Sequence, residues 1–243
     1  MGDEPIEGAH GALAELRALS AGVRLLTNTT SRSRRSVVEH LQELGFDVSE
    51  EEVMTPAAMA VRHCAEHGLG AVRLLVGEGL HEDLAELERA GPHDRPDAIL
   101  LGDLGEGFTP ELLNSAFRDL MDGAQLLALQ HNRYWRRADG LALDVGAYSA
   151  ALEYASGRDA IVLGKPAAEF FLTAMRDIGV ERAVMIGDDA EADVGGAMAA
   201  GLPGVLVRTG KYRADALNAR VTPTAIVDSV ADVPSLLARM PGL

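Results

Sequence analysis

The chain has 243 residues, with 22 Lys or Arg against 37 Asp or Glu, so its formal net charge is −15. Hydrophobic residues make up 47% of it and aromatic residues 4%. This composition is typical of a globular acidic protein and argues against intrinsic disorder. The negative charge argues against nucleic acid or an anionic membrane as a partner, because both need concentrated positive charge.

Cys64 is the single cysteine, so neither an intramolecular disulfide nor a cysteine metal cluster can form. We therefore expect a reducing, cytoplasmic setting. No stretch approaches the roughly 18 consecutive apolar residues of a membrane span. A small anion remains possible as a ligand, because a locally positive pocket can bind an anion even when the net charge of the protein is negative.

Short apolar runs alternate with amphipathic stretches along the chain, which predicts a βαβα order and a parallel α/β sheet. The predicted strands, in chain order, are 23–28, 72–76, 98–101, 125–129, 160–162, 183–186, 204–207 and 225–227. The predicted helices are 11–20, 33–44, 57–67, 80–89, 110–121, 147–156, 168–178, 191–200 and 230–239. Chemistry in such a sheet sits at the carboxyl ends of the strands, so the residues that follow each apolar run are candidates for a site.

The first candidate is the run of Thr27, Asn28, Thr29, Thr30 and Ser31 after the first predicted strand. A hydroxyl and several backbone N–H groups at a strand-to-helix turn can bind a phosphate oxygen. The same residue types are also the preferred helix N-caps, so the pattern alone leaves capping open.

The second candidate is Gly164-Lys165-Pro166, which follows the predicted strand 160–162. A lysine at a strand end can neutralise a phosphoryl oxygen, and the proline can start the next helix. An ordinary surface turn explains the lysine equally simply.

The third candidate is the apolar run 183–186 followed by Gly187, Asp188 and Asp189, with Asp193 one helical turn beyond. Clustered carboxylates at a strand end are the hard oxygen ligands that Mg²⁺ prefers. Helix capping accounts for one or two of these acids but not for the glycine and the spacing together.

Taken together, Thr27, Lys165 and Asp188 resemble, in order and spacing, the second, third and fourth motifs of the haloacid dehalogenase (HAD) superfamily of phosphatases. The stretch from Leu25 to Ser33 is similar to the nitrophenylphosphatase-like branch, subfamily IIA, which carries a large cap between its second and third motifs. Within that branch, the runs 143–148, 164–166 and 184–189 look most like the phospholysine/phosphohistidine inorganic pyrophosphate phosphatase group.

The resemblance implies a Rossmann-like parallel-sheet core in residues 1–60 and 158–243, with an α/β cap inserted at 61–157. It implies phosphate binding by Thr27, Asn28 and Lys165 and a metal ligand in Asp188. Asp189 or Asp193 would act in catalysis by orienting Lys165 or a metal-bound water. The implied cofactor is Mg²⁺ and the implied partner is a small phosphorylated substrate, with a homodimer left open.

One departure from the family pattern is the lack of an Asp-x-Asp sequence, the first motif, which supplies the nucleophile and a metal ligand. We therefore expect that the chain as given begins after the first core strand and is inactive. The expected complete reaction passes through an aspartyl-phosphate that water hydrolyses. The alternative is a non-catalytic phosphate-binding or regulatory protein of the same fold.

Overall fold

The computed structural model describes residues 4–20, 22–137, 140–213 and 221–240. The chain divides into two compact units. The first comprises Met1–Leu25, Val38–Val53 and Lys165–Leu243, and the second comprises Leu26–Val37 and Met54–Gly164. The division into a core at 1–60 and 158–243 and a cap at 61–157 stays a prediction. Within the described ranges, no helix combines the length and apolar content needed to cross a membrane.

The predicted α/β class with parallel sheets is confirmed. The helices are α1 Ala9–Leu19, α2 Arg34–Glu43, α3 Pro56–His67, α4 Pro110–Met121, α5 Val145–Ser156, α6 Ala168–Ile178, α7 Gly196–Ala199 and α8 Val233–Arg239. The strands are β1 Leu25–Leu26, β2 Val53–Met54, β3 Ala71–Leu75, β4 Glu88–Arg89, β5 Ala98–Leu101, β6 Gln125–Ala128, β7 Tyr134–Arg137, β8 Gly140–Leu143, β9 Ile161–Val162, β10 Met185–Gly187, β11 Gly204–Val207 and β12 Ala225–Val227. The short strands β1 and β2 pair with each other.

The second unit is built on a five-stranded parallel sheet in the order β4-β3-β5-β6-β9. All four residues of the central strand β5 are buried. A strand that is apolar on both faces is expected where helices cover both sides of a parallel sheet. On one face, Leu120 of α4 and Leu152 of α5 pack with Ile99 and Leu101 of β5.

The first unit contains a three-stranded parallel sheet in the order β10-β11-β12. The central strand β11 is again buried along its whole length. Val205 and Val207 of this strand pack with Leu16 of α1 and Val233 of α8. Because the three strands are parallel, the residues that follow them emerge at one edge of the sheet.

The predicted helix at 80–89 is wrong. A short 3-10 turn, Glu78–Leu80, is followed by further turns and then by β4. Leu80, Leu84 and Leu87 are all buried. The helix-like spacing of these leucines therefore reflects their burial and not a helical backbone. The backbone instead turns to pair with β3, where the Ala90 N–H donates to the Val72 carbonyl at 3.0 Å.

Two further elements differ from the prediction. The predicted helix 191–200 is a π-helical segment, Ala190–Gly195, followed by the single turn α7. The antiparallel hairpin of β7 and β8 has no predicted counterpart. Its strands carry no long apolar run, because Arg136 and Arg137 stand in β7 and Gly140 begins β8.

The buried β6 strand provides a test of the packing in the second unit. Leu127 is fully buried at 0% exposure, whereas Leu141 of β8 is 66% exposed. We expect Leu127→Ala to lower the free energy of unfolding by about 2 to 5 kcal/mol, because it removes buried methyl groups and leaves a cavity. Leu141→Ala is the matched control and should change it by less than about 0.5 kcal/mol. Urea unfolding measures both, and equal losses would contradict the assigned core.

Candidate active site

Thr27 and Asn28 follow β1 and belong to the second unit. The Thr27 N–H donates to the Met54 carbonyl at 3.2 Å, and Thr27 Oγ1 accepts the Thr29 N–H at 3.1 Å. This hydroxyl therefore shapes its own turn. Asn28 lies beside Gly164, because a Cβ on Gly164 would stand 2.7 Å from Asn28 Oδ1. A glycine at 164 lets the Asn28 side chain reach the residue that immediately precedes Lys165.

Lys165 is the first residue of the first unit's last segment, just after β9. It is buried, at 8% exposure, and its Nζ lies 2.7 Å from Asp193 Oδ1. Taking an ammonium group out of water is costly unless a carboxylate opposes it. The contact with Asp193 therefore compensates the lysine charge and restricts the direction in which its Nζ points.

Asp193 lies in the π-helical segment Ala190–Gly195 and is itself buried, at 5% exposure. Its Oδ1 contacts Lys165, and its Oδ2 accepts the Asp189 N–H at 3.2 Å. A Cβ on Gly187 would stand 2.3 Å from Asp193 Oδ2. Gly187, the last residue of β10, is therefore the position at which the strand end makes room for this carboxylate.

A second glycine makes room on the other side of the lysine. A Cβ on Gly196 would stand 2.8 Å from both Cα and Cβ of Pro166. The Lys165–Pro166 peptide bond is cis. The start of α7 thus packs directly against the backbone beside Lys165, and no larger residue fits at position 196 without a shift.

Asp188 and Asp189 are neighbours in sequence with different surroundings. Asp188 Oδ2 accepts the Lys211 N–H at 2.8 Å, from a loop in which Gly210 has φ +62°. Asp189 Oδ1 accepts the N–H groups of Glu191 and Ala192 at 3.1 and 2.9 Å, which is N-cap geometry. The capping interpretation that the sequence left open therefore describes Asp189.

The first unit brings Lys165, Asp188, Asp189 and Asp193 to the carboxyl end of β10. Between the two acids proposed to orient Lys165, the direct contact belongs to Asp193. Thr27 and Asn28 lie in the second unit, and their convergence with Lys165 and Asp188 stays a prediction. Within the described ranges, no three His, Cys, Asp or Glu residues are grouped so that they could hold a metal ion.

The sequence analysis missed Lys211. Its N–H binds Asp188, and its Nζ lies 4.0 Å from Asp189 Oδ2. Thr209, Gly210 and Lys211 follow β11, so the rule that examines the residues after each apolar run would have found them. Gly210 is required here, because a Cβ on it would stand 1.9 Å from Asp188 Oδ2 and its φ is positive.

Asp144 has a structural role in the second unit. It caps α5, with Oδ1 accepting the Val145 N–H at 2.8 Å and a hydrogen bond from the Gln130 side chain. Burial raises the pKa of this carboxyl, although both hydrogen bonds act in the opposite direction. The strand-to-helix turn thus uses Asp144 to organise the backbone after the β7–β8 hairpin.

Two family models match the chain. The model described as haloacid dehalogenase-like hydrolase matches residues 1–90, and the HAD-hydrolase-like model matches residues 162–233. The second match contains Lys165 and the three acids at 188, 189 and 193.

Two curated relatives are similar over most of the chain. Haloacid dehalogenase-like hydrolase domain-containing protein 2 of Rattus norvegicus is 46% identical over 214 residues, which is 87% of this chain and 81% of the relative. Phospholysine phosphohistidine inorganic pyrophosphate phosphatase of Homo sapiens is 41% identical over 241 residues, which is 97% of this chain and 87% of the relative.

Solved structures with the same fold include two phosphatases. The p-nitrophenyl phosphatase of Archaeoglobus fulgidus has a TM-score of 0.88 and 26% identity, covering 97% of this chain and 94% of its own. The glycerol phosphate phosphatase of Mycobacterium tuberculosis, in complex with magnesium, has a TM-score of 0.82 and 32% identity, covering 94% of this chain and 71% of its own.

The close approach at Gly187 can be tested by adding one methyl group. We expect Gly187→Ala to lower the free energy of unfolding by roughly 1 to 3 kcal/mol, because the new Cβ overlaps the Asp193 carboxylate. Gly11→Ala in α1 is the matched control, since a Cβ there meets nothing within 4 Å. Gly11→Ala should raise the free energy of unfolding by about 0.5 kcal/mol. Chemical denaturation compares them, and a neutral Gly187→Ala would contradict the described contact.

Proposed function

We propose that this chain, which belongs to the haloacid dehalogenase-like hydrolases, carries the binding machinery of a Mg²⁺-dependent phosphatase that acts on a small phosphorylated substrate. In this proposal, the phosphoryl oxygens are held by Thr27, Asn28 and Lys165. Asp188 is a ligand of the metal. Asp193 positions Lys165, and Asp189 is a further carboxylate at the end of β10. The names of the related phosphatases support this function class.

The observation that carries the proposal is the buried contact between Lys165 and Asp193, at 2.7 Å. A surface-turn lysine would be exposed and mobile, whereas this Nζ is held in one direction at a strand end. A positive group fixed before the substrate arrives can stabilise developing negative charge without reorganising. Such a group is what a phosphoryl-transfer site needs.

The chemistry of the acids fits Mg²⁺. This ion commonly takes one or two carboxylates and completes its octahedron with water and substrate phosphate, so it needs no group of three protein ligands. Asp188 supplies a hard oxygen ligand, and the Lys211 N–H orients its carboxylate. Bound there, Mg²⁺ would offset the charge of the phosphoryl oxygens.

The covalent step needs an attacking carboxylate. One of its oxygens would form a bond to phosphorus as the bond from phosphorus to the leaving-group oxygen breaks, and water would then hydrolyse the aspartyl-phosphate. The 243 residues contain no Asp-x-Asp sequence. Lys165, Thr27 and Asn28 can bind and orient a phosphoryl group, but none of them is a carboxylate nucleophile.

The lack of an Asp-x-Asp sequence also favours a second candidate function. A protein of the same fold could bind a phosphorylated molecule without turning it over, in a regulatory role. Both candidates use the same binding residues, so only turnover distinguishes them. The cytoplasmic setting and the homodimer also stay predictions.

Phosphate binding can be measured directly. We expect the chain to bind inorganic phosphate with an affinity that rises when Mg²⁺ is added, because the metal offsets the anion charge. Lys165→Ala should weaken this binding by about 10-fold or more, since it removes a fixed cation from a buried site. Titration calorimetry is the assay. Arg118→Ala is the matched control, because it removes one positive charge from an exposed position on α4. Unchanged binding by Lys165→Ala would refute the phosphoryl-binding site.

Catalysis is tested with p-nitrophenyl phosphate and Mg²⁺. The chain as given should show no turnover above the blank, and an N-terminal extension that supplies an apolar strand ending in Asp-x-Asp should create activity. In the extended protein, Asp188→Asn and Lys165→Ala should each lower kcat by about 100-fold or more. Asp228→Asn is the control, because that side chain is 80% exposed.

The outcomes separate the two candidates. Turnover by the extended protein supports the phosphatase, whereas phosphate binding with no turnover in either form supports the non-catalytic protein. Turnover by the chain as given, unaffected by Asp188→Asn, would show that both the site and the missing step are assigned wrongly.

A further inference from the structure

A cleft lies beside the short outer strand β4 in the second unit. β4 pairs with only Ala71 and Val72 of β3. In the described residues, β3 therefore continues from Arg73 to Leu75 with no strand beside it on that side. The cleft at this place has a volume of about 420 Å³. Small-molecule sites typically measure roughly 300 to 1,000 Å³, so the cleft has the size of a site for a small ligand.

The cleft has a basic and partly apolar lining. It includes no aspartate or glutamate among the described residues. The polar side chains are Arg73, His81, Arg89 and Ser115, and the apolar ones include Pro92 and Leu112. The lining thus carries positive charge in a chain whose net charge is −15.

Arg73 builds the wall of the cleft. Its side chain is 12% exposed, and its Nε lies 2.5 Å from Asp119 Oδ2 on α4. Its two Nη atoms donate to the carbonyls of Gly91 and Asp94 at 3.2 and 3.0 Å. These contacts connect α4 and the loop after β4 to β3. Because Asp119 offsets the charge of Arg73, this arginine adds little net charge to the cleft.

Arg89 supplies the charge that a ligand can use. Its Nη2 donates to the His81 carbonyl at 3.2 Å, which holds the guanidinium beside the turn after Leu80. That contact uses one of the five N–H donors of an arginine. Throughout the part of the chain that the structure describes, Arg89 forms no ion pair with an acidic side chain. Its planar guanidinium has the geometry that binds a carboxylate through two hydrogen bonds.

We propose that this cleft binds a small organic carboxylate with an apolar body, such as an aryl acetate. The carboxylate is held by the Arg89 guanidinium, and the apolar body packs against Pro92 and Leu112. All of these residues belong to the second unit. The site is therefore independent of the phosphatase function proposed above, which depends on Lys165.

The charge of the cleft favours one carboxylate over a phosphate. With Arg73 offset by Asp119, the lining offers about one positive charge, that of Arg89. A phosphate dianion would keep a second negative charge without a partner, and taking such a charge out of water is costly. The apolar wall favours a ligand whose remaining surface is apolar, because burying that surface stabilises the complex.

Binding can be followed by fluorine NMR with 4-fluorophenylacetate and the full chain. We expect a saturable change in the shift and width of the probe signal. The neutral 4-fluorophenylacetamide has nearly the same shape and should bind at least about 10-fold more weakly, because it lacks the charge-assisted hydrogen bonds. Acetate, which lacks the ring, should displace the probe at least about 10-fold less effectively than phenylacetate does. Inorganic phosphate should displace it no better than acetate.

Variants locate the binding to the cleft. Arg89→Gln should weaken binding of the probe by about 5-fold to 10-fold, because it removes the charged donor. Arg158→Gln, at an exposed position after α5, makes the same change in net charge and should stay within about 2-fold. Ser115→Leu keeps the charge, fills the cleft and should weaken binding by about 10-fold or more. Leucine is also a better helix former than serine, so α4 should be retained. Unchanged thermal midpoints show that the three variants fold.

Three outcomes would overturn the proposal. Equal binding of the amide would remove the charge argument. Unchanged binding by both Arg89→Gln and Ser115→Leu would place the probe outside the cleft. Loss of binding in Lys165→Ala, with Arg89→Gln unaffected, would place the carboxylate at the phosphoryl-binding residues instead.

Discussion

The buried contact between Lys165 and Asp193 is the interaction around which the first unit's site is arranged. An ammonium and a carboxylate that are both nearly excluded from water must stay together, because separating them would leave an unpaired buried charge. The segments that carry them therefore have to approach closely. Gly187 and Gly196 permit this approach, one beneath the Asp193 carboxylate and the other against Pro166. The ion pair and the two glycines therefore depend on each other, because the pair requires the close approach that the glycines allow.

The same arrangement explains how two adjacent aspartates come to differ. Asp189 is committed to the start of the π-helical segment, where its carboxylate accepts two backbone N–H groups. Asp188, one residue earlier, faces the loop at Gly210 and Lys211 instead. A change of one residue at the end of a strand reverses the direction of the side chain. Local geometry thereby separates a capping acid from the acid that we propose as a metal ligand.

Sequence reasoning succeeded where the apolar pattern is continuous or regularly periodic. The predicted strands 98–101, 204–207 and 225–227 coincide with β5, β11 and β12, and the predicted helices 110–121 and 168–178 coincide with α4 and α6. Continuous apolar runs and periodic amphipathic stretches leave few alternatives at these positions. At 80–89 the spacing of the leucines predicted correctly which side chains are buried, but it wrongly predicted a helical backbone. There, pairing with β3 outweighs the local preference for a helix.

The positions of the candidate site residues could be predicted from the sequence, whereas the contacts between them could not. Lys165 and the acids after β10 stand at strand ends, which is a property of the sequence pattern. That Asp193 holds the lysine depends on a π-helical turn, and that Lys211 reaches Asp188 depends on a loop 23 residues further along. Neither contact has a periodic signal, because each is made by tertiary packing.

The two outermost strands of the five-stranded sheet have a consequence for how this unit behaves at high concentration. Both β4 and β9 are only two residues long, and β4 consists of the exposed charged pair Glu88 and Arg89. Short, charged outer strands are a means by which sheet proteins avoid aggregation. A neighbouring chain could form very few backbone hydrogen bonds there. The long buried strands in the centre are thereby shielded from the uncontrolled growth that would lead to precipitation.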